Sequence, residues 1–138
     1  ATYSAKDHYK RVRPFVAHND TTCTPAEEPQ LRKDGSYPSG HAALGWAWAL
    51  LLTELAPERT NALVARGLAF GQSRMICGVH WQSDVTSGQA IGAAAVARLH
   101  GNATFKAQMA LAKAEIDSAR AQGVTPQLDC AAQAAALN

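Results

Sequence analysis

The sequence is short of the features that mark membrane proteins and nucleic-acid binders. Its longest apolar run, 42–52, is well under the ~20 residues that a membrane-spanning helix requires. Lys and Arg exceed Asp and Glu by a net charge of only +2, and they form no tract, whereas nucleic-acid binding ordinarily needs a dense basic patch. We therefore expect the 138 residues to form one globular domain without a membrane or nucleic-acid partner.

Cysteine is also scarce. The three cysteines form no Cys-x-x-Cys pair, so neither a zinc site nor a thioredoxin-type redox site is indicated. Cys23 lies in a polar loop and Cys130 in the C-terminal tail, where disulfides commonly occur, whereas Cys77 in an apolar stretch is predicted to be a buried free thiol. The odd number leaves one cysteine unpaired or bonded outside this chain, and it weakly favours an oxidising compartment.

What the sequence does have is alanine and helical periodicity. Hydrophobic residues make up 47% of the chain and charged residues 17%, as in a helical globular protein. Caps, breakers and apolar spacing predict an all-α single domain over 1–138, with a helical core over 1–122 and a tail over 123–138. A long loop is expected over Phe15–Tyr37, and the predicted helices are Tyr3–Val12, Gly40–Leu55, Pro57–Ile76, Ser83–Leu99 and Ala103–Ala121.

The helix that begins at Gly40 is predicted to lie at the centre of the core. Ser39 suits the N-cap position, and the residues that follow are apolar on nearly every side of the helix. The later helix that ends near Leu99 is rich in Ala and Gly, so it should pack closely against its neighbours.

The segment Pro38-Ser39-Gly40-His41 leads directly into that central helix. A Ser-Gly turn at a helix start exposes backbone N–H groups without intrahelical partners, and together with the helix dipole they can bind an anion. His41, in the first turn, could donate a proton to a leaving oxygen. Taken alone, the segment is equally compatible with a plain N-cap followed by a surface histidine.

A second cluster, Ser73-Arg74 with His80 and Asp84, has the parts that a nucleophilic histidine requires. A carboxylate on one ring nitrogen can fix the tautomer and stabilise the cation that forms when the other nitrogen attacks. The separation of His80 and Asp84 suits such a pair, across one helical turn or across a bend, and Arg74 can donate to two phosphate oxygens. The alternative is an ordinary i,i+4 pair on a solvated face.

Two further cations, Lys6 and Arg13, are seven residues apart, so two helical turns would put them on one face. Singly, each is compatible with an ordinary surface position. Together with Arg74 they could stabilise the charge of a phosphoryl transition state without a metal ion. Tyr37, beside the Ser-Gly turn, is the candidate for contact with a leaving group.

These clusters resemble the three-part signature of the PAP2 phosphatase and vanadium haloperoxidase superfamily: Lys6-x6-Arg13-Pro14, Pro38-Ser39-Gly40-His41 and Ser73-Arg74-x5-His80-x3-Asp84. The longer strings over 35–41, 71–74 and 77–84 resemble the bacterial class A non-specific acid phosphatases. The resemblance covers about Ala5 to Leu99.

The resemblance implies a helical bundle that is periplasmic or secreted and hydrolyses small phosphate monoesters, nucleotides included, at acid pH. It implies a phosphohistidine intermediate and no cofactor, with phosphate or vanadate as the ligand of the site. The implied catalytic residues are His80 as nucleophile, Asp84 as its orienting group and His41 as general acid and then base. The implied phosphate cradle is Lys6, Arg13, Ser39, Gly40 and Arg74.

Members of this family usually carry a helical segment upstream of the lysine motif, whereas only five residues precede Lys6 here. We therefore expect this chain to be the C-terminal catalytic part of a longer enzyme, lacking its N-terminal helices. Its expected partners are small phosphate esters and an N-terminal chain or segment of the same enzyme, and a homo-oligomer is a further option.

Three other functions fit the same residues. A nucleoside di- or triphosphate hydrolase would carry its specificity in the loop 15–37. A vanadium-dependent haloperoxidase would use His80 as the axial ligand of vanadate, and a non-catalytic fragment would only bind the anion. Phosphate release from a nucleoside monophosphate, pyrophosphate and ATP would separate the first of these from a monoesterase.

Overall fold

A computed structural model describes residues 2–136, and within that range the chain is helical with no strand. The all-α prediction is therefore confirmed. Two short 3-10 helices, Pro25–Glu27 and Pro57–Arg59, accompany the α-helices. The α-helices are α1 (Tyr3–Tyr9), α2 (Pro14–Ala17), α3 (Glu28–Leu31), α4 (Gly40–Leu55), α5 (Thr60–Ile76), α6 (Gln82–Leu99), α7 (Ala103–Ala121) and α8 (Cys130–Ala135).

Close packing of α4 against α5 and α6 builds the core, and glycines make it possible. A Cβ atom on Gly88 of α6 would lie 2.4 Å from the carbonyl oxygen of Ser39, and one on Gly92 would lie 2.4 Å from that of Ala43. Both distances are far below van der Waals contact, so no larger residue fits without moving a helix. The predicted close packing of this helix is confirmed, and it sets α6 directly against the start of α4.

The prediction that α4 lies at the centre of the core is confirmed, since both α5 and α6 pack against it, but one side of the helix is not covered within residues 2–136. Ala42 and Ala49 are buried, but Leu44, Trp48 and Leu52 are 56%, 61% and 41% exposed. The reason is that α5 and α6 cover only part of the helix surface within the described residues. An apolar stripe along α4 therefore remains uncovered.

The predicted first helix, Tyr3–Val12, ends early. Lys10 adopts a left-handed backbone with φ of 42°, which closes α1 at Tyr9. Arg13 consequently lies outside α1, at the N-cap of α2. Lys6 and Arg13 therefore do not share a helix face, and a turn brings them together instead.

The predicted loop 15–37 contains α2, α3 and a 3-10 helix, and a disulfide ties it down. Cys23 forms a disulfide with Cys77, which lies at the end of α5, and the two Cα atoms are 5.0 Å apart. The prediction of a buried free thiol at Cys77 is wrong, because the end of α5 carries it to the half-buried edge beside this loop. Cys130 is the exposed free cysteine, and it opens α8 within the predicted tail.

Over residues 2–136, every helix is either too short or too polar to cross a bilayer.

Replacing Gly88 by alanine should lower the stability of the chain by about 1–3 kcal/mol, because the new methyl group collides with the Ser39 carbonyl. On an unobstructed helix the same change is stabilising, by up to ~1 kcal/mol. Urea unfolding of Gly88→Ala beside Thr86→Ala, an exposed neighbour on the same helix, checks the sign. A Gly88→Ala protein as stable as wild type would contradict the packing described here.

Candidate active site

The three sequence clusters meet at one open cavity of about 490 Å³. Its walls come from α1, the segment before α4, the first two turns of α4, the end of α5, the bend before α6 and the middle of α6. Of the residues that the sequence predicts for a site, six line this cavity: Lys6, Arg13, Gly40, His41, Arg74 and His80.

His80 lies in the bend between α5 and α6 rather than on a helix. Gly78, with φ of 69°, lets the chain reverse there, which is a conformation that glycine adopts at little cost. The backbone N–H groups of Val79 and His80 both donate to the carbonyl of Arg74, at 3.2 and 3.1 Å. The bend thus holds His80 and Arg74 side by side at the cavity wall.

Asp84 stands behind the His80 ring and is fully buried. Its Oδ2 lies 3.4 Å from Nδ1 of His80 and accepts a hydrogen bond of 2.9 Å from the Trp81 N–H. The first distance is longer than an ordinary hydrogen bond, and catalytic contacts of this kind often tighten only when ligand binds. The carboxylate is thus anchored by the start of α6 and faces Nδ1, which leaves Nε2 toward the cavity.

Arg13 connects that imidazole to the rest of the site. Its side chain is 3% exposed, and Nη1 donates to the carbonyl of Val79 at 2.9 Å while lying 3.5 Å from Nε2 of His80. On the other side, Nε donates to the carbonyl of Leu31 at 3.0 Å, and Nη2 donates to Oδ2 of Asp34, also at 3.0 Å. One guanidinium therefore lies beside the ring nitrogen that is available to attack.

Lys6 reaches the same place from α1. Its ammonium group donates to the carbonyl of Gly35 at 2.5 Å and lies 3.5 Å from Oδ2 of Asp34. A Cβ on Gly35 would come within 2.6 Å of the Lys6 carbonyl oxygen, so only glycine allows this close approach. Burial lowers the pKa of both Lys6 and Arg13.

Arg74 completes the ring of cations. Its Nε is buried and has no hydrogen-bond partner within residues 2–136. An unpartnered buried donor is costly unless a ligand or solvent satisfies it. Together with its place on the cavity wall, this makes Arg74 the cation best prepared to receive an anion.

The two histidines at the cavity have lowered pKa values. Burial is the main cause for His80, and the charges of Arg13 and Lys6 act in the same direction against the opposing effect of Asp84. Burial also lowers the pKa of His41, and Arg74 adds to the effect. Both imidazoles are therefore held neutral to a lower pH than free histidine.

The pKa of Asp84 is lowered as well. Burial on its own would raise it, but the contacts with His80, the Trp81 amide and Ser36, together with the charge of Arg11, outweigh burial. Asp84 is therefore an anion over the pH range in which the histidines titrate, and it can hold the proton of His80 on Nδ1.

Besides Asp84, two predicted site residues lie away from the cavity wall, Ser39 and Tyr37. Ser39 is fully buried, and its hydroxyl accepts a hydrogen bond from the Ala42 N–H, which confirms its role as N-cap. Its backbone N–H donates to the Asp84 carbonyl at 3.0 Å. The Tyr37 ring packs edge-on against Tyr9 with centroids 5.2 Å apart, and its contact with a leaving group stays a prediction.

Sequence analysis missed two charged residues of the site. Arg11 donates from Nη1 to Oδ1 of Asp84 at 2.7 Å, and Asp34 bridges Lys6 and Arg13. Arg11 lies two residues before Arg13, and Asp34 comes directly before the string 35–41, so adjacency to the motifs was the available signal. Arg and Asp are both common at protein surfaces, so the spacing of Arg11 and Asp34 in the sequence does not by itself indicate a site.

Within the described range, no three His, Cys, Asp or Glu side chains come together as a metal site. The groups available to an anion are instead the side chains of Lys6, Arg13 and Arg74 and the start of α4 at Gly40. What the arrangement can do chemically is hold a tetrahedral oxyanion against Nε2 of His80.

Comparison with known proteins agrees with this geometry. Residues 1–106 match the model of the PAP2 superfamily. The chain is 52% identical over 117 residues to a non-specific acid phosphatase of Salmonella typhimurium, covering 85% of this chain and 47% of the relative. It is 50% identical over 115 residues to one of Providencia stuartii (83% and 46%), and 44% identical over 122 residues to an acid phosphatase of Zymomonas mobilis (88% and 46%).

The chain thus spans about half the length of the curated relatives it matches. The matched region contains all three clusters that form the cavity, because they end at Asp84. On the family match and the identities together, this chain belongs to the PAP2 superfamily.

Proposed function

We propose that this chain carries the catalytic centre of a phosphatase that hydrolyses phosphate monoesters through a phosphohistidine at His80. The observation that carries the proposal is that Lys6, Arg13, Arg74 and His41 line one cavity together with His80, with Arg13 beside Nε2 of that ring. The names of the similar proteins, acid phosphatase and non-specific acid phosphatase, support the same activity.

In the first step, the Nε2 lone pair of His80 attacks phosphorus, and the bond from phosphorus to the ester oxygen breaks. The proton that this oxygen needs would come from His41, which lines the cavity and must be protonated for this step. Its lowered pKa makes the imidazolium a stronger acid and confines this form to acid solution. Asp84 holds the Nδ1 proton of His80 and stabilises the positive charge that develops on the ring. Lys6, Arg13 and Arg74 stabilise the charge on the equatorial oxygens of the transition state.

In the second step, water attacks the phosphohistidine, and the bond from phosphorus to Nε2 breaks. His41, neutral after giving up its proton, takes one from the water. The lowered pKa of His80 makes it a good leaving group here and keeps it unprotonated, and so nucleophilic, in mildly acidic solution. Enzyme and both histidines return to their starting protonation, with alcohol and phosphate as products.

The remaining features of the proposed enzyme rest on its relatives and on the open cavity. The cavity has room for leaving groups of varied size, which favours a broad set of small phosphate esters, nucleotides included. No cofactor is needed, since three cations of the chain itself would hold the phosphate, and vanadate would occupy the same place. The expected location is the periplasm or outside the cell, with an N-terminal segment of the same enzyme as partner.

Replacing His80 by alanine should lower the rate of phosphate release by roughly 10³-fold or more, because the covalent intermediate can no longer form. A short reaction with a ³²P-labelled monoester, quenched in alkali and digested, should place the label on the peptide that contains His80. His8→Ala, an exposed histidine of α1, is the matched control and should keep both activity and labelling. Activity retained in His80→Ala, or label on another residue, would contradict the mechanism.

Stability should fall as the pH is lowered from about 7 to about 5. Unfolded His80 and His41 take up protons near pH 6.5, whereas in the folded chain their pKa values are lowered. The unfolded state therefore binds more protons, and buried His80 removes up to about 1.4 kcal/mol of stability per pH unit in this window. The contribution of His41 is smaller, because this residue is exposed and solvent screens its charge. Above it, where both states are neutral, the stabilising contribution is fully present.

In His80→Gln this slope should be smaller, as urea unfolding at several pH values would show, while Thr86→Ala should keep the wild-type slope. An NMR titration of the wild-type His80 ring that gives a pKa above 6.5 would contradict the electrostatics described here.

A further inference from the structure

Asp34 places a carboxylate among the cations of the proposed phosphate site. Its Oδ2 lies 3.0 Å from Nη2 of Arg13 and 3.5 Å from Nζ of Lys6. The side chain is 35% exposed, and it lines the same cavity as Arg74 and His80. An incoming anion would therefore meet a fixed negative charge as well as the positive ones.

A purely structural role accounts for only part of this arrangement. Buried cations need partners, but backbone carbonyls already accept hydrogen bonds from both of them. The carbonyl of Gly35 accepts from Lys6, and those of Leu31 and Val79 accept from Arg13. The carboxylate remains partly open to the cavity, and both of its ion pairs use the same oxygen, Oδ2. A carboxylate has about four lone-pair sites, so Asp34 retains the capacity to accept a hydrogen bond from a ligand.

A phosphate ester can supply that hydrogen bond in only one of its ionisation states. Below its second pKa of about 6, the ester is a monoanion with one P–OH group, and above it the ester is a dianion with none. The P–OH group can donate to a carboxylate, in a charge-assisted hydrogen bond of the stronger kind. The dianion offers no donor and is repelled by Asp34 instead.

We propose that Asp34 makes this site select the monoanion of a phosphate group over the dianion. The inference rests on the proposed function for its substrate class and adds the ionisation state that the site accepts. It also gives a physical reason for activity in acid: the neutral His80 and the protonated phosphate would coexist only in mildly acidic solution.

Other groups around the cavity also change charge with pH and must be separated from this effect. The titratable and charged groups of the cavity besides Asp34 are Tyr3, Lys6, Arg13, Glu27, His41, Arg74 and His80. A cleft on the outer side of Asp34 adds Asp7, Lys10, Arg11, Arg32 and Lys33. Protonation of the two histidines favours every anion, whichever form it takes. A sulfonate has the shape of a phosphonate and the charge of its monoanion but carries no proton in this range, so it provides the reference.

The test is to measure the dissociation constants of phenylphosphonate and of benzenesulfonate by calorimetry from about pH 5 to about pH 8. Like a phosphate ester, the phosphonate has one P–OH group as a monoanion and none as a dianion. In wild type, the phosphonate should bind about tenfold more tightly than the sulfonate at the acid end, the worth of one charge-assisted hydrogen bond. In Asp34→Asn the two anions should bind alike at the acid end, whereas at the alkaline end the phosphonate dianion should bind about tenfold more tightly than to wild type.

Asp7→Asn, in the outer cleft, is the matched control and should behave as wild type. A phosphonate that binds wild type no more tightly than the sulfonate at the acid end would overturn the proposal, as would an Asp34→Asn protein that keeps the wild-type affinities for both anions across the pH range. If Asp34→Asn does not fold, the wild-type comparison at the acid end decides alone. Hydrolysis without this preference would overturn this inference only, whereas the preference without hydrolysis would sustain it and contradict the proposed function.

Discussion

One buried guanidinium, that of Arg13, holds together the parts of the chain on which the site depends. It is 3% exposed, and its donors reach the carbonyls of Leu31 and Val79 and the carboxylate of Asp34. These partners belong to the segment before α4 and to the bend before α6. Because a buried charge without partners is strongly destabilising, the folded chain must keep these segments in place around it. The same group thereby fixes the distance to Nε2 of His80.

Charge balance at the cavity follows from that arrangement. Burial and the nearby cations keep His80 neutral into mildly acidic solution, while Asp84, anchored by the Trp81 N–H and Arg11, aligns the far side of the ring. The cations that lower the pKa of the imidazole are the ones that would hold the substrate. The same positive charges can therefore keep the nucleophile neutral and bind the anion, and the negative charge of Asp34 partly offsets them.

Local signals in the sequence predicted most of the helices, because a cap such as Ser39 and a breaker such as Gly123 act over a few residues. The end of α1 was missed, since a left-handed Lys10 leaves no mark in composition or periodicity. The partner of Cys77 could not be assigned, because pairing depends on how α5 lies against the loop 15–37. The motifs identified the cavity-lining groups, but not Asp34, whose importance comes from two cations that only the fold brings to it.

A crystal structure of the chain with vanadate would show whether Nε2 of His80 faces an anion held by Lys6, Arg13 and Arg74. We expect one vanadate in the cavity, with vanadium bonded to Nε2 and its equatorial oxygens within hydrogen-bond distance of those three side chains. Vanadate bound elsewhere, or held in the cavity with the imidazole turned away from it, would rule out this geometry.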